Sequence, residues 1–213
     1  MGKGVIRQVK PPKSSKKQTD RLQRDRNPEH SRHTMKIRRG TLLMTAAFST
    51  LFSPLAHCDP LKVGDKAPEV TAVTETGDKL DFGEFYKKQP YTLVYFFPKA
   101  DTPGCTAQGC SLRDAYADLQ EKGVAVIGVS LDKVEAQKAF KDKYHFPFTL
   151  IADTDKTVVS AFGVPTNVRP IIGAVATRQA YLIKDGVIIW ADYKAATKEQ
   201  AADVLKVLAA QKG

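Results

Sequence analysis

The stretch FFPKADTPGCTAQGC, residues 96–110, decides how the rest of the chain is read. It holds two of the chain's three cysteines, Cys105 and Cys110. Their CxxxxC spacing is not the CxxC of a thioredoxin-type redox pair or of a zinc knuckle. The run YTLVYFF (91–97) ends at Pro98. Thr102 then stands where a helix N-cap would, with Pro103 at the first helical position, where its missing N–H costs nothing. Cys105 falls in the first turn, where unpaired N–H groups and the helix dipole favour a thiolate. A nucleophilic cysteine gains from that placement, and a buried structural cysteine does not need it. Residues i and i+5 of an intact helix have Cα atoms about 8.7 Å apart, and a disulfide needs less than about 7 Å. Cys105 and Cys110 can therefore bond only if the first turns unwind. That is costly for a static cross-link and natural for a redox cycle.

Outward from this stretch the pattern is α/β. YTLVYFF and VAVIGVS (124–130) are continuous β-branched or aromatic runs, as in strands buried on both faces, and TLIAD (149–153) is a third. Leu112, Ala115, Tyr116 and Leu119 recur at i, i+3, i+4 and i+7, which predicts one helix between the first two strands. A second helix, about 133–144, presents Ala136, Ala139, Phe140 and Tyr144 on one face, and His145 leads into the next strand. RQAYLIKDGVIIWADY (178–193) reads as a hairpin turning at Lys184-Asp185-Gly186. Thr197 and Gln200 form a capping box for a last helix with Ala201, Val204, Leu205 and Leu208 on its apolar face. Strands alternating with helices, then a hairpin and a final helix, predict a thioredoxin-like fold with a central mixed sheet.

The formal net charge of +10 suggests a nucleic-acid partner until its distribution is read. Residues 1–34 carry 10 Lys/Arg against 3 Asp/Glu, and residues 35–58 add three basic side chains and no acid. Residues 59–213 hold 20 of each sign, so the folded part has no overall excess of charge for phosphates. Residues 1–34 lack the apolar side chains for a core and are expected to be a disordered basic extension or a mis-assigned start ahead of Met35. Residues 35–58, MKIRRGTLLMTAAFSTLFSPLAHC, have the layout of a secretory signal peptide: a basic start, an apolar run and a Ser-Pro break. The run is too short to span a bilayer. LAHC (55–58) is similar to a lipoprotein cleavage box, so Cys58 is either a lipidation site or incidental to cleavage. The expectation is a domain at 59–213, exported to a periplasm or its equivalent and without stable membrane insertion.

Pro98, Thr102 and Cys105 fit a Pro-xxx-Thr-xx-Cys signature, and FFPKADTPGCTAQGCSLRD as a whole resembles the peroxiredoxins of the PrxQ, or bacterioferritin comigratory protein, subfamily. The resemblance covers roughly residues 61–211. It implies that Cys105 attacks a peroxide and becomes a sulfenic acid, and that Cys110 resolves it as an intramolecular disulfide. It also implies reduction by a thioredoxin-like protein, a monomer or weak dimer, and no metal or cofactor. Thr102 would hydrogen-bond the peroxide or the thiolate, and Pro98 would shield the site from bulk water. An arginine from a later strand would stabilise the thiolate; TRQAYLI puts Arg178 there, with Arg169 second. Arg113 reads as a member of a structural ion pair with a nearby Asp. The chain departs from the subfamily between Gly163 and Thr177, where aromatic residues are missing.

Three rival readings rest on the same residues. Two cysteines supply half a tetrahedral zinc set, and His145 is the one histidine of the folded part. A thiol–disulfide exchange protein acting on other exported proteins would normally show CxxC. A binding module leaves the Pro-Thr-Cys arrangement unexplained.

Overall fold

The computed structural model describes residues 59–211. The expected basic extension and signal peptide, with Cys58, lie outside the described residues. In chain order the elements are β1 (Thr71–Val73), β2 (Lys79–Asp81), α1 (Phe82–Tyr86), β3 (Tyr91–Phe96), α2 (Pro103–Asp114) and α3 (Tyr116–Glu121). They continue with β4 (Val124–Ser130), α4 (Val134–Tyr144), β5 (Thr149–Ala152), α5 (Thr157–Ala161) and β6 (Thr166–Arg169). The chain ends in β7 (Gly173–Ala176), β8 (Gln179–Lys184), β9 (Val187–Asp192) and α6 (Gln200–Ala210).

Five strands form one sheet in the order β5-β4-β3-β8-β9. β3 pairs in parallel with β4 and antiparallel with β8, so the sheet is mixed. The continuous apolar runs are explained by a core on each face. Leu93, Tyr95 and Phe97 pack with Leu112, Leu119, Phe140 and α6. Val94 and Phe96 point the other way, onto Phe82, Val158, Val159 and Phe162. The register fixes what adjoins Cys105. Phe96 pairs with Gln179 across β3 and β8. The end of β3, which feeds Pro98 and α2, therefore adjoins Arg178, the residue just before β8.

Three local expectations are corrected. The stretch from Leu112 to Leu119 is two helices, not one, with a break at Ala115. The break lets Leu112 and Leu119 both reach zero exposure while Tyr116 packs its ring 6.0 Å from Phe148. On α4 the inward face is Gln137 and Phe140, whereas Ala136 and Ala139 are exposed. Gln137 replaces them because its amide donates to Ser130 Oγ at 2.9 Å and to the Ile151 carbonyl at 2.7 Å. His145 caps α4 in the left-handed region, φ 55°, instead of leading into a strand.

Gly128 sits in the middle of β4 at a close approach. A Cβ there would lie 2.7 Å from Leu150 Cδ2 and from the Tyr95 ring. Gly128→Ala is expected to destabilise the domain by about 1–3 kcal/mol through overpacking. A shift of the urea midpoint with an unchanged slope checks it; an unchanged midpoint would mean that the two neighbours yield freely.

Candidate active site

Cys105 lies in the first turn of α2 and is 2 % exposed. It lies in a cleft of about 330 Å³ whose walls include Pro98, Thr102, Arg169, Ile172, Val175 and Arg178. Larger clefts of about 380 and 470 Å³ lie elsewhere on the surface and hold neither cysteine. Cys110 is half-buried on the same helix, and neither thiol is bonded. The helix is continuous from Pro103 to Asp114, so the pair stands on an intact, fully wound segment. Among the described residues no group of three or more His, Cys, Asp and Glu could hold a metal ion.

Arg178 makes the decisive contact. Its Nη2 donates to Cys105 Sγ at 3.3 Å. Gly104 leaves room for this approach, since a Cβ there would come within 3.3 Å of Nη2. The other arm, Nη1, donates to Gln108 Oε1. Arg169, from β6, lines the same cleft but makes no hydrogen bond to the sulfur. Arg113 bonds Asp114, with Nη2 at 2.7 Å from its carboxylate, and donates to the Tyr144 carbonyl. It takes no part in the cleft.

Thr102 occupies the N-cap position, but its side chain caps nothing. Its hydroxyl donates instead to the Lys99 carbonyl at 2.9 Å. With the proton committed there, what Oγ1 can offer the cleft is a lone pair, suited to accepting from a peroxide O–H. The expected capping bond is absent.

The loop carrying Pro98 and Thr102 is tied down on both sides. Asp132, 3 % exposed, pairs with Lys99 and accepts from the Ala100 N–H at 2.7 Å and Ser130 Oγ at 2.8 Å. Asp101, in the left-handed region at φ 57°, accepts from Lys143 Nζ at 2.8 Å and from the Tyr144 hydroxyl at 2.7 Å. Those two bonds, Lys143's first, hold the Asp101 carboxyl below the ordinary carboxylate range. Local sequence rules single out neither Gln108 nor Asp132, and they assign Gln200 to a capping box rather than to the site. Each is a buried polar side chain, and none stands inside an apolar run that would mark it as buried.

The chain matches the AhpC/TSA family over residues 63–191. It is 44% identical over 104 residues to a putative peroxiredoxin bcp of Coxiella burnetii, covering 49% of this chain and 68% of that one. It is 43% identical over 106 residues to peroxiredoxin Bcp of Escherichia coli K12, covering 50% and 67%. Among solved structures it resembles peroxidoxin BcpB of Mycobacterium tuberculosis at 26% identity and a TM-score of 0.63, covering 70% of this chain and 97% of that one. The chain belongs to the AhpC/TSA family, among the peroxiredoxins of the Bcp/PrxQ type, which are thiol-dependent peroxidases with a thioredoxin-like fold.

Arg178→Met is expected to slow oxidation of Cys105 by about 100-fold or more, as loss of a preorganised donor does elsewhere. Lys recovers part of the charge and little of the forked geometry. Arg169→Met has much less effect, and stopped-flow oxidation by hydrogen peroxide ranks the three; a larger loss in Arg169→Met would reverse the assignment. A second prediction concerns pH. A depressed carboxyl stabilises the fold above the ordinary carboxylate range, and that stability is lost as pH falls through the folded value. Asn suits the left-handed backbone of position 101 as Asp does. The gap in thermal midpoint between wild type and Asp101→Asn should therefore be present at pH 6 and close below about pH 4.

Proposed function

We propose that Cys105 is the peroxidatic nucleophile and Cys110 the resolving thiol of this peroxidase. The observation that carries the assignment is the Arg178 guanidinium on Cys105 Sγ at the foot of a cleft. The Cys105 thiolate attacks the terminal oxygen of a hydroperoxide, and the O–O bond breaks heterolytically. One oxygen stays on sulfur as a sulfenic acid; the other leaves as alkoxide or hydroxide and takes up a proton. Arg178 donors face the charge as it passes from sulfur to oxygen, and Thr102 Oγ1 accepts from the O–H of the bound hydroperoxide. Pro98 and Val175 restrict water at the sulfur.

The Cys110 thiol then displaces hydroxide from the sulfenic acid, giving a Cys105–Cys110 disulfide and water. Because about 8.7 Å of helix cannot be bridged, α2 must unwind between the two cysteines first. A thioredoxin-like dithiol restores both thiols by exchange, becoming a disulfide itself. The substrates are hydrogen peroxide and organic hydroperoxides. The layout of residues 35–58 supports export of the domain, where an oxidising surrounding demands a dedicated reductant; the mass of the mature N-terminus tests this. No helix among the described residues is long and apolar enough to cross a membrane.

Cys110→Ser should react once with peroxide, at close to the wild-type rate, and then stop. Sulfenic acid accumulates on Cys105 and advances to sulfinic acid under excess peroxide, as intact mass shows. Sustained turnover with thioredoxin in this variant would make another thiol the resolving one. In the wild type, amide protection over residues 103–110 should fall on oxidation; unchanged protection would contradict the unwinding step.

A further inference from the structure

Two glutamines with zero exposure connect the active site to the far end of the chain. Gln108 follows Cys105 by three residues on α2, and Gln200 is the first residue of α6. Gln108 Nε2 donates to Gln200 Oε1 at 2.8 Å. Gln108 Oε1 accepts from Arg178 Nη1, whose neighbouring Nη2 donates to Cys105 Sγ. The direction of this chain is forced. A guanidinium has donors only, so Gln108 must turn its oxygen to Arg178 and its NH2 away. The NH2 then needs an acceptor in a place closed to water, and Gln200 Oε1 is that acceptor. Without it, Gln108 would bury an unpaired donor or turn that donor toward the guanidinium.

Gln200 itself is held by little else. Its Nε2 is buried and has no hydrogen-bond partner. A buried donor left unpaired is a cost to folding that an apolar side chain of similar length would avoid. It forms no capping box with Thr197, because the helix starts at Gln200 and its side chain points into the core. Beside it, the Ala201 N–H donates to Ser111 Oγ at 3.2 Å, a second tie from α6 to α2.

We propose that Gln200 is a positioning residue for the peroxidase reaction, with two effects. It orients Gln108, and through it Arg178, over the sulfur of Cys105. It also opposes unwinding of α2, because Gln108 lies between the two cysteines and leaves with the unwound turns, stranding the Gln200 amide with neither end paired. The inference rests on Cys105 and Cys110 having the roles given above. Its consequence is a partition. A sulfenic acid held longer in the wound helix meets a second peroxide, which oxidises it to sulfinic acid with release of water or alcohol; one released sooner reaches Cys110.

The test uses the full chain carrying Gln200→Met, which keeps length and removes the acceptor. Cys105 oxidation by hydrogen peroxide should slow by about three- to tenfold, the worth of one buried hydrogen bond. The sulfinic fraction at a fixed peroxide excess should fall, because disulfide formation is faster. In a Gln108→Met background the same substitution should change the oxidation rate no further, since its path to Arg178 is already cut. A wild-type rate in Gln200→Met, or an equal loss in both backgrounds, would overturn the proposal. Should Gln200→Met fail to fold, Gln200→Asn withdraws the same amide by one methylene and is judged by the same rates. In the unsubstituted protein, amide exchange over residues 200–204 should rise when the disulfide forms, and unchanged exchange would remove the second effect. Failure of wild-type Cys105 to react with peroxide at all would instead overturn the peroxidase assignment.

Discussion

An α-helix advances 1.5 Å per residue, and that rise governs this site. It lifts Cys110 beyond disulfide reach of Cys105 while giving Cys105 the N-terminal turn that suits a thiolate. In the proposed cycle the same twelve-residue helix must therefore be whole for the first chemical step and broken for the second. The surroundings of α2 fit that double requirement. Its entry is tied through Asp132 and Asp101, which hold the loop before Thr102. Its first turn carries only Thr102 and Pro103 as local helix signals, with no side-chain cap bond. The loop is anchored and the turn can give way.

The strands and the hairpin follow the local sequence pattern closely. VAVIGVS is β4 from end to end, and the hairpin turns between Lys184 and Val187. The long apolar runs were legible because a strand covered on both faces has no polar positions to blur it. TRQAYLI resembles the place where the family carries an arginine, and Arg178 Nη2 lies 3.3 Å from Cys105 Sγ. Burial of alanines was not legible: on α4 a small side chain left in water costs little, and the deeper position went to Gln137, which two acceptors repay with hydrogen bonds. Thr102 and Gln200 both stood at textually good capping positions, and both turned elsewhere, to the Lys99 carbonyl and into the core.

The polar chain behind Arg178 was illegible for a different reason. Gln108 and Gln200 meet across 92 positions, and Arg178 and Gln108 across 70. No periodicity or spacing carries such a pairing. Only the sheet register, which lays β8 against β3 and α6 against α2, brings the partners together. A one-residue slip of β8 would turn its side chains to the opposite face and remove Arg178 from the sulfur. The site is in this sense a product of the strand pairing as much as of its own motif.

That distance along the chain has a consequence for biosynthesis. The thiol is synthesised 73 residues before the guanidinium that touches it. A growing chain that has emerged through α2 and β4 has the nucleophile but neither β8 nor α6. Until the C-terminal hairpin is laid down, Cys105 has the reactivity of any cysteine in an unfinished polypeptide. On the proposed assignment, the chain is thus spared its own chemistry during assembly, and becomes a peroxide trap only when β8 and α6 arrive.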